Sequence, residues 1–513
     1  MNTNIRTNVI VNIVRTVVLT FLSFITFPWI CRYLSESAVG TYTWANTFVA
    51  YFLILAKVGL PNLAVRECVK VRHDKEKLSN RVQLFFLIQL ITTLISFGLM
   101  CVVVFSVPQL RQESSLIFIL SLNFLVGVYS FEWVFIALEK QFYMSVRSIV
   151  TLSMSAILII VFVSTPEDIY IYAFIAILTT LLTTIANVYY VRRYVSFKKT
   201  LPYSLKEFIR PLGILCALSL LISFYNQTDT FILGFIDEEK IQVASYSVGI
   251  KGIDIIIGII TALSTVFIPR SAYYYEKEDK RFFKNLTKYS INICLFIVLP
   301  AIVTMTILSK EVCGLISGTY DYSSTNVEYY SAPYVLIILS SMMITYSIGD
   351  IIYGQILLPT KQEKYYLFAI LGGTTLNIAL SIVLGKTFTI SGVHMPAIGV
   401  AIGTAVTDLL VLIFLVSLTW KWVKHAIFNM NSLKLLVANL ILVALTFGLY
   451  FSLDLLWNAL NVTGAMKYGL QIITIVVIDA AAYIGICLLM KEDLVYSFVR
   501  HQKEKTENAQ QES

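Results

Sequence analysis

Apolar stretches of roughly 20 residues follow one another along the whole chain, separated by short charged segments. In order they cover 9–31, 41–63, 83–105, 115–138, 147–165, 168–191, 211–234, 241–268, 287–308, 333–358, 365–385, 396–419, 434–453 and 468–490. Each is long enough to cross a hydrocarbon core of about 30 Å. The runs are continuous, whereas barrel strands would show short alternating segments, so helices are the spanning element. The pattern predicts an all-α membrane protein with about 14 transmembrane helices. The run from Val9 to Ile30 is too long for a signal-peptide core and no small-residue cleavage site follows it, so it reads as a retained first span.

Composition agrees. Hydrophobic residues make up 57% of the 513, charged residues only 14%, and mean hydropathy is +0.77. Ordinary globular chains are roughly 25% charged. The seven cysteines (Cys31, Cys68, Cys101, Cys216, Cys294, Cys313 and Cys487) have neither metal-ligand nor redox spacing and read as small buried hydrophobes. The four histidines are far apart and suggest no metal site.

Charge tests the span count. With the amino terminus inside and the sides alternating, inner segments collect thirty of the 39 Lys and Arg residues and outer segments six. Arg15, Lys57 and Lys251 fall within spans. A missed or extra helix would scramble this asymmetry, so the positive-inside rule places both termini in the cytoplasm. The net charge of +8 calls for anionic lipid headgroups beside these loops and for no nucleic acid.

The sequence also repeats. RYLSESAVGTY (Arg32–Tyr42) follows the first span and LGFIDEEKIQVASY (Leu233–Tyr246) follows the seventh; LPNLAVRE (Leu60–Glu67) and FIPRSAYYYE (Phe267–Glu276) each open a charged inner loop. Two matches in order at nearly one offset indicate a duplicated six-helix bundle in parallel orientation. The expected division is an N-terminal lobe at 1–200, a C-terminal lobe at 201–425, appended helices 13 and 14 at 426–490 and a cytoplasmic tail at 491–513.

Arg32–Tyr42, the run YFLILAKVGLPNLAVRE (Tyr51–Glu67) with the basic stretch after it, and NQTDTFILGF (Asn226–Phe235) followed by VASYSVG (Val243–Gly249) resemble the Wzx-type polysaccharide flippases. These belong to the multidrug/oligosaccharidyl-lipid/polysaccharide exporter superfamily, with the MATE multidrug exporters and the lipid II flippase MurJ. The resemblance covers essentially the whole chain in length, helix count and loop spacing. It implies two pseudo-symmetric six-helix lobes around a central cavity. The implied work is translocation of an undecaprenyl-diphosphate-linked oligosaccharide repeat unit to the periplasmic leaflet by alternating access. The implied place is the bacterial inner membrane, in O-antigen or capsule assembly, beside a polysaccharide polymerase and a chain-length regulator.

Charges within a bilayer are costly and face cavities, so they are the first candidates. Asn8, Asn12 and Arg15 share a face of the first helix, Asn46 and Lys57 one of the second. Helix 7 offers Asn226 with Asp229 beside it, and helix 8 carries Lys251, Asp254, Thr261 and Thr265 in one stripe. A diphosphate needs fixed cations, and Arg15, Lys57 and Lys251 can supply them; Asn8, Asn12, Asn46, Asn226 and Thr261 would meet sugar hydroxyls. Against this, the stems of Arg15 and Lys57 could snorkel to headgroups, Lys251 could pair locally with Asp254, and polar stripes also glue helices together. The candidate ion-coupling carboxylates are Asp350 and Asp408, then Asp229 and Asp254, with Glu132 and Asp479 as weaker members; the ion would be H⁺ or Na⁺. Pro28 and Pro300 could act as hinges, while Pro61, Pro269 and Pro359 are expected to terminate helices.

An enzyme of polysaccharide assembly would need a substantial outer loop, and the longest outer segment runs only from Ser309 to Ala332. No G-x-x-x-x-G-K-[ST] loop is present, so ATP does not power the chain directly. Catalytic residues and metal ligands are expected to be absent. A MATE-like exporter of small cations is the alternative, and it predicts an acid-dominated aromatic cavity instead of a cationic one.

Overall fold

The computed structural model describes residues 5–197, 206–322, 327–390 and 392–496. Among them are fourteen helical stretches long and apolar enough to cross a membrane, one for each span the hydropathy predicts. The chain divides into two compact units, Met1–Ala244 and Ser245–Ser513.

The first unit opens with α1 (Ile5–Tyr33), α2 (Glu36–Lys57), α3 (Leu60–Val71), α4 (Lys75–Ser106) and the short α5 (Pro108–Gln112). It continues through α6 (Ser114–Gly127), α7 (Glu132–Ala137), α8 (Gln141–Phe162), α9 (Ile169–Val191) and α10 (Lys206–Ile236). Among the described residues, side-chain caps start two of them. Ser35 accepts from the Ala38 N–H, and Asp74 accepts from the N–H groups of Glu76 and Lys77, each satisfying donors the helix cannot. Those backbone donors, with the Lys77 side chain, hold the exposed Asp74 carboxyl below its ordinary range.

Two of its spans are broken. α2 stops at Val58, whose φ is 49°, and Gly59 follows with φ 65°; Leu60 and Pro61 then restart the chain as α3. Pro61 therefore begins a helix, at a position where its missing N–H costs nothing. α6 likewise ends at Gly127, and Phe131, with φ 45°, precedes α7. α3 and α7 pack against each other, and around them lies one buried core that includes Leu63, Cys68, Phe85, Trp133, Phe135 and Phe208.

The second unit holds most of α11 (Ile241–Glu276), then α12 (Lys280–Ile307), α13 (Ser309–Ser317), α14 (Ala332–Ser340) and α15 (Met342–Ile351). A π-helical turn, Ile352–Leu357, prolongs α15. After it come α16 (Glu363–Thr387), α17 (Pro396–Ile427), α18 (Met430–Ala459) and α19 (Gly464–Leu489). Between α16 and α17 a small antiparallel ladder, β1 (Thr389–Ile390) with β2 (Val393–His394), pairs Thr389 with His394 and Ile390 with Val393. It is the one departure from the all-helical expectation among the described residues. Gly399 lets α17 lie against the Leu384 carbonyl of α16, where an added Cβ would stand 2.3 Å away.

The expectation that Pro269 ends a helix is corrected. α11 runs through it to Glu276. The extra turns offset the missing N–H by packing Tyr275 against Phe283 and Trp422. Pro28 and Pro300 also lie inside continuous helices, α1 and α12. Outside the spans, Glu311 of α13 is buried and accepts from the Tyr450 hydroxyl of α18 at 2.9 Å, and burial pushes its carboxyl above the usual range. The repeat is visible too, since VGTY and VASY occupy the opening turns of α2 and α11.

Gly59 combines a left-handed backbone with a close neighbour, because an added Cβ would lie 2.4 Å from Leu215 Cβ and 2.7 Å from its carbonyl carbon. Gly59→Ala should therefore lower stability by about 1–3 kcal/mol, read as an earlier thermal transition of the purified protein. An unchanged transition would show that the break tolerates a side chain.

Candidate functional site

In the first unit Lys57 is the last residue of α2, exposed, immediately before the break, and Arg15 is half-buried on α1. Among the described residues neither makes a hydrogen bond or ion pair. Asn46 on α2 and Asn226 on α10 are exposed. Asp229 is buried on α10, close to Tyr51 of α2. Asn8 and Asn12 fall on α1, but their side chains lie outside the described residues, as does that of Thr265.

An aromatic seam joins α2 to α10. Tyr51 stacks on Phe224 with centroids 4.6 Å apart, Phe48 on Phe231 at 6.3 Å, and the Trp44 indole N–H donates to the Phe231 carbonyl at 3.1 Å. At its end sits Lys240, which the sequence places in an outer loop. The residue is in fact buried. Its ammonium donates to the carbonyls of Asp237 and Glu238 at 3.2 and 2.9 Å and lies 4.7 Å from the centre of the Trp44 ring. Burial pulls its pKa down, while Asp237 works the other way. Gly40 on α2 leaves room for the Lys240 carbonyl, and the Ser37 hydroxyl donates to the Glu239 carbonyl at 2.6 Å.

A second network surrounds the break between α6 and α7. Arg147, counted from the sequence among inner-segment cations, stands two turns into α8 with its side chain 5% exposed. Its guanidinium donates to Glu132 Oε1 at 2.7 Å, to Asn187 Oδ1 at 2.6 Å and to the Ser148 hydroxyl at 3.1 Å. The Tyr143 hydroxyl donates to the same Asn187 oxygen, and the Asn187 amide donates to the Ser130 carbonyl in the break itself. Glu132, a weaker ion-coupling candidate, is thus the anion that balances Arg147. The sequence carried a signal for this: Arg147 opens the fifth predicted span and has only apolar and small polar neighbours.

In the second unit Lys251 and Asp254 form an ion pair at 3.0 Å on α11, with side chains 36% and 45% exposed. Thr261, further along α11, is half-buried. Asp350 lies at the end of α15, two residues before the π-turn, and such turns are frequent at functional sites. Ser264 of α11 stands beside its carboxylate. Asp408 on α17 is buried. Tyr346 and Tyr366 each feel both carboxylates, and Tyr366 stacks on Tyr353 with centroids 4.2 Å apart. Gln355, inside the π-turn, is fully buried and neither of its amide atoms has a partner. The fold therefore gathers Asp350, Asp408 and three tyrosines into one polar cluster. Asp479, by contrast, accepts from the Thr446 hydroxyl at 2.8 Å, within the α18–α19 pair.

Comparisons with known proteins follow the same lines. Residues 5–275 match the family described as polysaccharide biosynthesis protein, and residues 215–383 match the MatE family. The chain is 26% identical over 187 residues to the probable low-salt glycan biosynthesis flippase Agl15 of Haloferax volcanii; the match takes in 36% of this chain and 37% of that protein. Little more than a third of that relative is therefore spanned. The fold is similar to that of the lipid II flippase MurJ in an inward closed conformation, with TM-score 0.70 and 15% identity over 94% of this chain and 99% of the other. It is also similar to an inward-facing multidrug resistance MATE transporter, with TM-score 0.63 and 15% identity over 79% and 96%.

Glu132→Ala would leave a buried guanidinium without its carboxylate; with the Glu132 side chain 45% exposed, the loss should fall below the about 3–5 kcal/mol of a fully buried pair. The variant should melt well below the wild type, and Glu132→Ala with Arg147→Met should recover much of the loss. If the double variant is no better than the single one, Glu132 does not serve to balance Arg147.

Proposed function

The chain belongs to the polysaccharide biosynthesis protein family, and from that premise we propose that it is a flippase for a lipid-linked glycan. The cargo in this reading is an undecaprenyl-diphosphate-linked oligosaccharide repeat unit, carried from the cytoplasmic to the periplasmic leaflet by alternating access. The protein works in the inner membrane with both termini cytoplasmic and supplies a polymerase and its chain-length regulator, which act after it.

The observation that carries the reading is the set of cations within apolar helices. Lys251 lies far from either end of α11, where a charge is expensive unless it has an anion or a wet cavity to face. A pair with Asp254 neutralises it at rest, and a diphosphate can compete for the same ammonium because charge-assisted contacts to phosphate are strong. Arg15 and Lys57 offer two further cations that no described acid occupies. Asn46, Asn226 and Thr261 supply hydroxyl and amide partners for sugars, each weak, so that cargo can leave. The cluster of Asp350 and Asp408 is the proposed seat of the coupling ion, H⁺ or Na⁺. A carboxylate enclosed by tyrosines and helix walls takes up a cation more readily than it remains bare.

The match of residues 215–383 to the MatE family favours a second reading, an ion-coupled exporter of small molecules. Deleting the protein and resolving undecaprenyl-linked intermediates by leaflet separates the two. Complete repeat units stranded on the cytoplasmic face, with surface glycan lost, support the flippase. Untouched surface glycan points to the small-molecule exporter, and periplasmic repeat units left unpolymerised point to a step after flipping.

Lys251→Ala should reduce glycan export about tenfold at unchanged membrane protein level, a charge-assisted contact being worth about 1.5–3 kcal/mol. Normal output would remove Lys251 from the cargo site. Asp350→Asn should flatten the pH or Na⁺ dependence of transport, and coupling that persists unchanged would exclude that carboxylate.

A further inference from the structure

The end of the second unit that carries the α11–α12 turn, which the charge rule assigns to the cytoplasm, has a feature that cargo transport does not explain. Trp422, near the end of α17, is buried edge-on against Phe283 of α12, with centroids 5.0 Å apart. Tyr275 of α11 closes the third side at 6.5 Å. Two ammonium groups from different helices converge on this indole. Lys284 of α12 lies 5.7 Å from the ring centre and Lys421 of α17 lies 5.2 Å from it. Two cations beside one ring add like charge to the same locality, and a cation–π contact at a partly exposed site returns only about 0.5–1 kcal/mol.

The surroundings raise the demand for an anion. The opening turns of α12 carry Lys280, Arg281, Lys284 and Lys288. That is the positive end of the helix dipole, where a cation is unfavourable. Lys421, Lys424 and His425 add to the same region from α17. Of the acids in the α11–α12 turn, Asp279 is engaged as the N-cap of α12, accepting from the Phe282 N–H at 3.0 Å, and Glu276 and Glu278 make no ion pair among the described residues. Among the described residues none of these lysines makes an ion pair. Around them stand the exposed side chains of Phe282, Tyr289, Trp420 and Phe428, the aromatic belt of a membrane–water interface.

We propose that Lys284 and Lys421, set on the face of Trp422, form a seat for the phosphate of an anionic phospholipid in the adjoining leaflet. The phosphate neutralises both ammoniums and the exposed aromatics flank the glycerol and upper acyl region. The occupant is a resident lipid rather than the cargo, so the site stands whether or not the glycan reading does.

The test uses the purified full chain. Thermal unfolding and native mass spectrometry are run in phosphatidylcholine with and without phosphatidylglycerol. Wild type should bind phosphatidylglycerol and melt later with it. The Lys284→Gln, Lys421→Gln double variant should bind it about thirtyfold more weakly, since each lysine near an anionic surface contributes about 1 kcal/mol. A charge-matched control, Lys361→Gln with Lys364→Gln in another inner segment, should lose clearly less than the test pair, and Lys→Arg at both test positions should retain binding. Should the double variant fail to fold in phosphatidylcholine, each single variant should still show about a fivefold loss. Equal losses in test and control pairs would reduce the effect to general surface charge and overturn the proposal. So would wild type indifferent to phosphatidylglycerol, or one that takes up undecaprenyl diphosphate at these lysines in its place.

Discussion

Inside hydrocarbon a peptide N–H or C=O has no water to turn to, and each one left alone costs several kcal/mol. That demand fixes the helical form of all fourteen spans, and it also governs where the fold departs from simple rods. At the break after α2 the Val58 N–H still reaches the carbonyls of Ile54 and Leu55. At the break after α6 the N–H groups of Tyr129 and Ser130 close tight turns onto Val126 and Gly127, and the Ser130 carbonyl accepts from Asn187. Asn187 is in turn held by Arg147, and Arg147 by Glu132. The ion pair of buried Arg147 with half-buried Glu132 is thus linked to the interruption of a helix, three steps removed.

The same accounting sorts the charged residues by task. Arg147 and Lys240 spend their donors on backbone carbonyls and neighbouring side chains, and their work is to hold helices in place. Arg15 and Lys57 make no such contacts among the described residues. Lys251 pairs with Asp254, a single turn away on its own helix. What separates Arg147 and Lys240 from Arg15 and Lys57 is the number of fixed partners among the described residues.

Much of this was legible in the sequence. Hydropathy is a local property and the membrane imposes it strictly, so every span was found and the charge asymmetry gave a consistent alternation of sides. The Lys251–Asp254 pair was legible from i, i+3 spacing alone. The burial of Arg147 and Lys240 was not legible because both sit at span edges, where local hydropathy cannot tell a loop cation from one folded back beneath a helix; it depends on Asn187 and Trp44, 40 and 196 residues away. Pro269 misled for the opposite reason: local stereochemistry says stop, while the packing of Tyr275 on Phe283 and Trp422 rewards continuing. The meeting of Asp350 and Asp408 around shared tyrosines required α15, α16 and α17 to be assembled first.

The duplicated halves are mechanically unequal. In the first, the chain from Glu36 to Val71 is jointed at Val58–Gly59. In the second, the equivalent stretch is α11, a single rod of 36 residues, about 54 Å long at 1.5 Å per residue. A joint absorbs a tilt, and a rod transmits it. A displacement felt at Lys251 is carried along α11 to Tyr275, beneath the indole floor of Trp422, whereas one felt on α2 can be dissipated before it reaches α3. The two stretches, matched in sequence, would therefore pass on a tilt differently.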